Sequence, residues 1–290
     1  MLGACALFSC SRTRPQGQRT VRDEMGHEVR LHSERIRRAV SLASSTTEIL
    51  FALDAGQTLV GVDSYSNWPK AAERLARVGT QQEPSLEAVV ALHPDVVITA
   101  TSANRQQTVE HLERLGLPVY VTQTETMKEL DQTILDLGTL FGREVQAKAL
   151  VSRIHQGVDA LAAQVATQPR VAALLIVWND PLMVVGPKTY AAELLRLAGG
   201  DNVATDAANS YPRYSLERVM RLAPQVLIMG TYGGGAEARD PFAFWRRYPD
   251  LPAVRDGRMA RLDGDLIFRP GPRVVEAAQA LYRALHAGSP

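Results

Sequence analysis

The chain has 290 residues, enough to bury a large hydrophobic core and to form two domains of ordinary size. It carries 32 lysine and arginine residues against 31 aspartate and glutamate residues, so no overall field favours nucleic acid as a partner. Hydrophobic residues make up 46% and charged residues 22%, a balance typical of globular proteins that excludes a disordered or fibrous chain.

Residues 1–19 are typical of an export leader followed by a linker. The first nine residues are uncharged and mostly apolar or small, and a polar, basic stretch follows them. Both cysteines, Cys5 and Cys10, lie here, so the rest of the chain can hold no disulfide framework. Residues 2–5 resemble a bacterial lipobox, and residues 7–10 are a poorer second copy. We predict a periplasmic or other extracytoplasmic location, with a lipid anchor on Cys5 or, alternatively, on Cys10.

Short apolar strands alternate with helices in the first part of the chain. The predicted strands are 39–42, 59–62, 96–100 and 119–121. Ser45 and Glu48 have the spacing of a capping box, which predicts a capped helix directly after the first strand. Such alternation is typical of a parallel sheet, and we assign residues 20–126 to an N-terminal α/β lobe.

The pattern changes over residues 127–168, where apolar residues recur at helical spacing. We predict one short helix and then a long one over 143–167, which no proline interrupts. Alternation resumes at residue 169, which predicts a C-terminal α/β lobe over 169–290. Its predicted strands and helices are 171–177, 183–185, 189–198, 226–229 and 274–286.

One segment is repeated in the two halves. Ser85-Leu86-Glu87 and the apolar positions after it recur 130 residues later, beginning Ser215-Leu216-Glu217. Each serine is a candidate helix cap, and a glutamate in a first helical turn gains about 0.3–1 kcal/mol from the helix dipole whatever its function. The repeated acid also suits a two-point contact with a partner that carries two basic sites. Both interpretations are open at this stage.

No pattern indicates catalysis. The sequence contains none of the common zinc, nucleophile or phosphate-loop motifs, so we predict no catalytic residue, no metal site and no cofactor. Aromatic residues fall instead near predicted strand ends, at Tyr65, Trp68, Trp178, Tyr211, Tyr214 and Tyr232. Because open α/β sheets bind ligands beyond the carboxyl ends of their strands, these side chains indicate a cleft for a large flat ligand. Ordinary packing is the alternative for each of them.

Residues 20–50, 60–69 and 199–202 resemble the iron-siderophore, haem and vitamin B12 binding proteins of ABC importers, and the likeness extends over about residues 20–288. The resemblance implies the class III periplasmic binding protein fold, with two Rossmann-like lobes joined by a single long backbone α-helix. It implies an ABC permease and ATPase complex as partner. Glu87 and Glu217 match the family's glutamates that contact permease arginines.

The resemblance also implies a ligand site. Tyr65 matches a tyrosine that contacts cobalamin, and Asp265 and Arg269 match an acid and an arginine of the family's cleft. Gln81 stands where the B12 branch has a tryptophan, and Tyr211 lies near another tryptophan position. We expect a monomer that captures a corrinoid, with Trp68 and Trp178 completing the site. The alternatives are haem, a ferric siderophore, or a cytoplasmic α/β enzyme or sensor that reuses the fold.

Overall fold

The computed structural model describes residues 19–206, 209–232 and 240–286. Cys5 and Cys10, with the predicted lipobox, lie outside these residues. Within the described part of the chain, no helix is both long and apolar enough to cross a membrane.

The N-terminal lobe contains a parallel sheet, as predicted, and the sheet has five strands rather than the four predicted. An antiparallel hairpin precedes it, formed by β1 (Arg19–Arg22) and β2 (Glu28–Leu31). The strands of the sheet are β3 (Ala39–Ser41), β4 (Leu59–Val62), β5 (Ala76–Arg77), β6 (Val96–Ala100) and β7 (Val119–Thr122). They pair in the order β5-β4-β3-β6-β7. The helices of this lobe are α1 (Ser44–Ala52), α2 (Leu86–Ala91) and α3 (Gln106–Arg114).

Two helices connect the lobes. Helix α4 (Met127–Phe141) begins with a capping box formed by Thr126 and Glu129, and it ends at Gly142, whose positive φ of 66° suits glycine. Helix α5 (Glu144–Val165) has 22 residues, a length of roughly 33 Å. The predicted backbone helix is confirmed.

The C-terminal lobe contains a second sheet. Its strands are β8 (Val171–Asn179), β9 (Leu182–Val184), β10 (Gly200–Asn202), β11 (Val226–Thr231) and β12 (Met259–Asp263). Four of them are parallel in the order β10-β8-β11-β12, and β9 pairs antiparallel with β8. The helices are α6 (Tyr190–Leu197), α7 (Leu216–Leu222), α8 (Pro252–Arg255), α9 (Gly264–Ile267) and α10 (Val274–His286). The last of these has the bounds predicted from the sequence.

The hydrophobic core is continuous between the lobes. One cluster of buried side chains includes Ile49 and Ile98 of the N-terminal lobe, Ile154 of α5, and Leu194 and Leu281 of the C-terminal lobe. Two further clusters fill the opposite face of each sheet. Because interiors are close-packed, any movement of one lobe against the other requires side chains of the shared cluster to repack.

The predicted capping box at the start of α1 is wrong. The helix begins at Ser44, and its cap position is Ala43, whose side chain accepts no hydrogen bond. Ser45 lies in the first turn, and the side chain of Glu48 is only 2% exposed. Glu48 does not reach back to the cap because its carboxylate pairs with two arginines of the C-terminal lobe.

Candidate functional site

A cleft lies between the lobes, at the loops that follow the strands of both sheets. It consists of two adjoining cavities of about 340 and 500 Å3 that share Ser44, Gln81 and Phe268. Ser44 is the first residue of α1 and Phe268 follows α9, so the two lobes supply opposite walls. This position agrees with the general rule that α/β sheets bind ligands beyond the carboxyl ends of their strands.

Buried hydroxyl groups hold the wall of the cleft on the N-terminal lobe. The Thr47 hydroxyl bonds to Ser41 Oγ at 2.9 Å and to Ser66 Oγ at 2.8 Å, and Ser66 in turn donates to the Asp63 carboxylate. Burial raises the pKa of Asp63, and hydrogen bonds from Ser66 and the Tyr65 backbone partly offset that rise. Thr47 therefore fixes α1 against the loop that carries Tyr65.

The structure brings five of the predicted ligand-binding residues to the cleft. Tyr65, Gln81, Asp265 and Arg269 line one cavity, and Tyr211 lines the adjoining cavity with Gln81. Tyr65 and Tyr211 are both exposed, at 50% and 43%. Their rings are therefore available to a ligand.

Trp68 and Trp178 are not among the described residues that line these two cavities. Trp68 lines a separate cavity beside α5, and the guanidinium of Arg273 lies 4.8 Å from the centre of its ring. Trp178 is near the end of β8 and is 44% exposed. The aromatic pattern alone could not separate these tryptophans from the cleft tyrosines, because all of them occur near strand ends.

Arg269 lines the cleft, but its guanidinium is already occupied by the protein. Its side chain is 8% exposed and donates to Glu48 Oε1 at 2.8 Å and to Asp265 Oδ1 at 2.7 Å. It also donates to Asn67 Oδ1 at 3.0 Å. Arg273 adds bonds of 2.7 and 2.8 Å to the Glu48 carboxylate. Asp265 and Arg269 thus tie the lobes together, a role that local sequence did not indicate.

Sequence reasoning missed several cleft residues. Ser44, Thr124 and Phe268 line the cleft. Tyr232, which the aromatic pattern did indicate, joins Tyr65 on its wall. The Thr124 hydroxyl is buried and has no hydrogen-bond partner in the described structure, so a polar atom of a ligand would satisfy it. Thr124 follows the predicted strand 119–121, and this position after a strand could have indicated it from the sequence. Among the described residues, no group of three or more His, Cys, Asp or Glu is arranged to hold a metal ion.

The repeated serines cap their helices as predicted. Ser85 Oγ accepts a hydrogen bond from the Ala88 N–H, and Ser215 Oγ accepts one from the Arg218 N–H, each at 3.3 Å. Glu87 and Glu217 are exposed in the first turns that follow. Hydrogen bonds from its own backbone N–H and from Ser215 lower the pKa of Glu217. The carboxylates are therefore presented to solvent, one on each lobe.

The family model described as periplasmic binding protein matches residues 40–266. The chain belongs to this family. Its members are the substrate-binding proteins of ABC importers and act outside the cytoplasm without a catalytic role. Membership confirms the predicted fold, family and importer function, and it disfavours the cytoplasmic enzyme or sensor.

Relatives of the chain are named for the binding of vitamin B12 or haem. A vitamin B12-binding protein of Vibrio parahaemolyticus is 30% identical over 84% of this chain and 88% of its own length. The periplasmic vitamin B12 binding protein of Vibrio cholerae superposes with a TM-score of 0.78 at 27% identity, covering 87% of this chain and 97% of that one. A periplasmic heme binding protein from Pseudomonas aeruginosa superposes with a TM-score of 0.79 at 29% identity, covering 88% of this chain and 94% of that one.

Proposed function

We propose that the protein captures a corrinoid, a cobalamin-like metal chelate, in the cleft between its lobes and delivers it to an ABC permease. The observation that carries this proposal is the combination of exposed aromatic rings with neutral hydrogen-bonding groups in one cleft. Tyr65, Tyr211, Tyr232 and Phe268 supply rings from both lobes. Flat faces of this kind pack against a macrocycle and bury a large apolar area.

The polar groups of the cleft favour an uncharged rim on the ligand. Ser44, Gln81, Thr124 and Ser210 are all neutral donors or acceptors. The rim of cobalamin carries neutral amide side chains, which pair with such groups without the desolvation cost of a buried charge. Glu125 and Lys188, one acid and one base, also line this cavity. In the adjoining cavity the Asp265–Arg269 pair is neutralised internally. The named B12-binding relatives support the same ligand class.

Haem is the second candidate, favoured by the haem-binding structural relative and by the tyrosine at position 65. A tyrosine can serve as the axial ligand of haem iron, but it does so as a phenolate that needs a nearby cation. The guanidinium of Arg269 contacts Tyr65 through the backbone carbonyl, at 3.1 Å, and its other bonds go to Glu48, Asn67 and Asp265. The arginine is therefore poorly available to activate the phenol.

Calorimetric titration of the purified protein with cyanocobalamin, haem and a ferric siderophore tests the proposal. We expect cyanocobalamin to bind with a Kd below about 10 µM, near −7 kcal/mol, and haem at least about tenfold more weakly. Replacing Tyr211 with alanine should weaken cobalamin binding by about tenfold through lost packing area. The matched control is Trp178→Ala, an equally exposed aromatic outside the cleft. Preferential binding of haem or of the siderophore would reject the corrinoid.

We propose that Glu87 and Glu217 contact basic sites on the permease. Replacing both with lysine should abolish uptake of labelled cobalamin by cells and leave cobalamin affinity within about twofold, because neither residue lines the cleft. The control reverses the exposed Glu73 and Glu144 in the same way. Loss of cobalamin affinity in the Glu87/Glu217 variant would instead indicate a structural role for these acids.

We further propose that the protein is a monomer anchored through a lipid on Cys5, with Cys10 as the alternative. The lipobox-like residues 2–5 carry the anchoring proposal. Mass spectrometry of protein from the membrane fraction should find a diacylglyceryl-modified Cys5 at the new N-terminus, and Cys5→Ser should release the protein from membranes. Light scattering measures the oligomeric state, and a dimer at micromolar concentration would contradict the monomer.

A further inference from the structure

A further cavity, separate from the two that form the ligand cleft, opens beside the backbone helix. Its volume is about 520 Å3, and we call it the rear cavity. Its floor is apolar, because Leu150 and Ile154 of α5 are 4% and 2% exposed. Phe51 of α1 and Val275 of α10 complete its sides. Residues of both lobes and of the connecting helix therefore meet in one concave surface.

The rear cavity has an aromatic platform. Trp68 is 48% exposed and lines the cavity next to Pro69. The guanidinium of Arg273 lies over its ring, 4.8 Å from the ring centre, which holds the indole in place. An indole that is fixed and still half exposed can accept a flat ring from a ligand.

The charge at the rear cavity favours an anion. Its charged lining groups are Glu48, Arg153 and Arg273. Glu48 and Arg273 are bonded to each other, at 2.7 and 2.8 Å, so neither is free to attract a ligand. Arg153 is exposed on α5, and its guanidinium has no ion-pair or hydrogen-bond partner among the residues that the structure describes. A guanidinium at the rim of an apolar cavity binds a carboxylate or sulfonate.

We propose that the rear cavity is a second ligand site, specific for a small aromatic anion whose ring packs on Trp68 and whose acidic group binds Arg153. This site is distinct from the cleft, although the two share a wall. Glu48 lines the rear cavity, Arg269 lines the cleft, and their side chains bond at 2.8 Å. An occupant would touch both lobes and α5, so it would stabilise the lobe arrangement that the structure has.

Fluorescence titration with 1-anilinonaphthalene-8-sulfonate, an aromatic anion, tests this site in the full chain. We expect saturable one-site binding that cyanocobalamin does not displace. Trp68→Leu should weaken binding by about tenfold and Arg153→Ala by about fivefold, through the lost stacking and the lost charged hydrogen bond. The matched controls are Trp178→Leu, a similarly exposed tryptophan outside the cavity, and Arg114→Ala, an exposed arginine of α3; both should bind within twofold of wild type.

Two results would overturn the proposal. One is the absence of saturable binding to the wild-type protein. The other is binding that Tyr211→Ala abolishes while Trp68→Leu and Arg153→Ala do not, since the probe would then occupy the cleft. Circular dichroism and thermal unfolding establish that each variant is folded. Arg153 is exposed and its loss leaves the core intact, so this variant keeps the test decisive even if Trp68→Leu unfolds.

Discussion

Two glutamates of the N-terminal lobe, Glu48 buried and Glu24 half-buried, have opposite surroundings. Glu48, at the lobe junction, bonds to the guanidinium groups of Arg269 and Arg273. Glu24, in the turn of the β1–β2 hairpin, has neutral donors: its Oε2 accepts from the Gln123 N–H at 2.6 Å and from the Thr133 hydroxyl at 2.7 Å. Its other oxygen is buried without a partner in the described structure.

The difference has an electrostatic consequence. Burial raises the pKa of Glu24 from 4.5 to about 7, with further increases from the nearby carboxylates of Asp136 and Asp23. At the lobe junction, cations from the other lobe instead compensate a carboxylate that is 2% exposed. Burial alone therefore does not decide the electrostatic environment of a carboxylate in this fold. That environment depends on the charges that tertiary structure places beside the carboxylate.

The largest effect is expected at the lobe junction. Glu48→Gln leaves two largely buried guanidinium groups without their shared partner, and loss of one member of a buried ion pair typically costs about 3–5 kcal/mol. Urea unfolding measures this loss in the free energy of unfolding. The control is Glu73→Gln, an exposed residue whose substitution should change stability by less than about 0.5 kcal/mol. Equal stability of the two variants would show that the ion pairs of Glu48 do not stabilise the lobe junction.

A smaller, pH-dependent effect is expected at Glu24. A carboxyl whose pKa is raised by folding stabilises the protein below its unfolded pKa of 4.5, and that contribution is lost as the pH rises through about 7. The unfolding free energy of wild type relative to Glu24→Gln should therefore fall by up to about 3 kcal/mol between about pH 4.5 and pH 8. Urea unfolding at several pH values measures it. Parallel profiles for the two proteins would contradict the raised pKa.

The smallest effect concerns the hydroxyl that bonds to Glu24. Thr133→Val removes a donor that lowers the pKa of Glu24, so the midpoint of the pH dependence should move upward and stability at pH 8 should fall by about 1 kcal/mol. Thr139 lies on the same helix, is exposed, and its hydroxyl donates to the Leu135 carbonyl at 3.2 Å. Thr139→Val is the matched control and should leave both the midpoint and the stability unchanged.

Much of the architecture was predictable because it depends on local patterns. Periodic apolar residues predicted the bounds of β6 and α10, and the unbroken helical spacing predicted α5. The repeated serines at 85 and 215 cap helices in the structure as expected. The β1–β2 hairpin and the short strand β5 were missed, since segments of two to four residues have too little periodicity to detect.

The site was only partly predictable, because pairing across the lobes has no local signal. The spacing of Ser45 and Glu48 indicated a helix cap. Glu48 instead pairs with Arg269 and Arg273, which follow it in the chain by 221 and 225 residues. Tyr65 and Trp68 are three residues apart, yet one lines the cleft and the other the rear cavity. The sequence by itself determined the two α/β lobes and the connecting helix, since hydrophobic periodicity specifies strands and helices. Tertiary structure decided which side chains meet, because that depends on how distant segments pack.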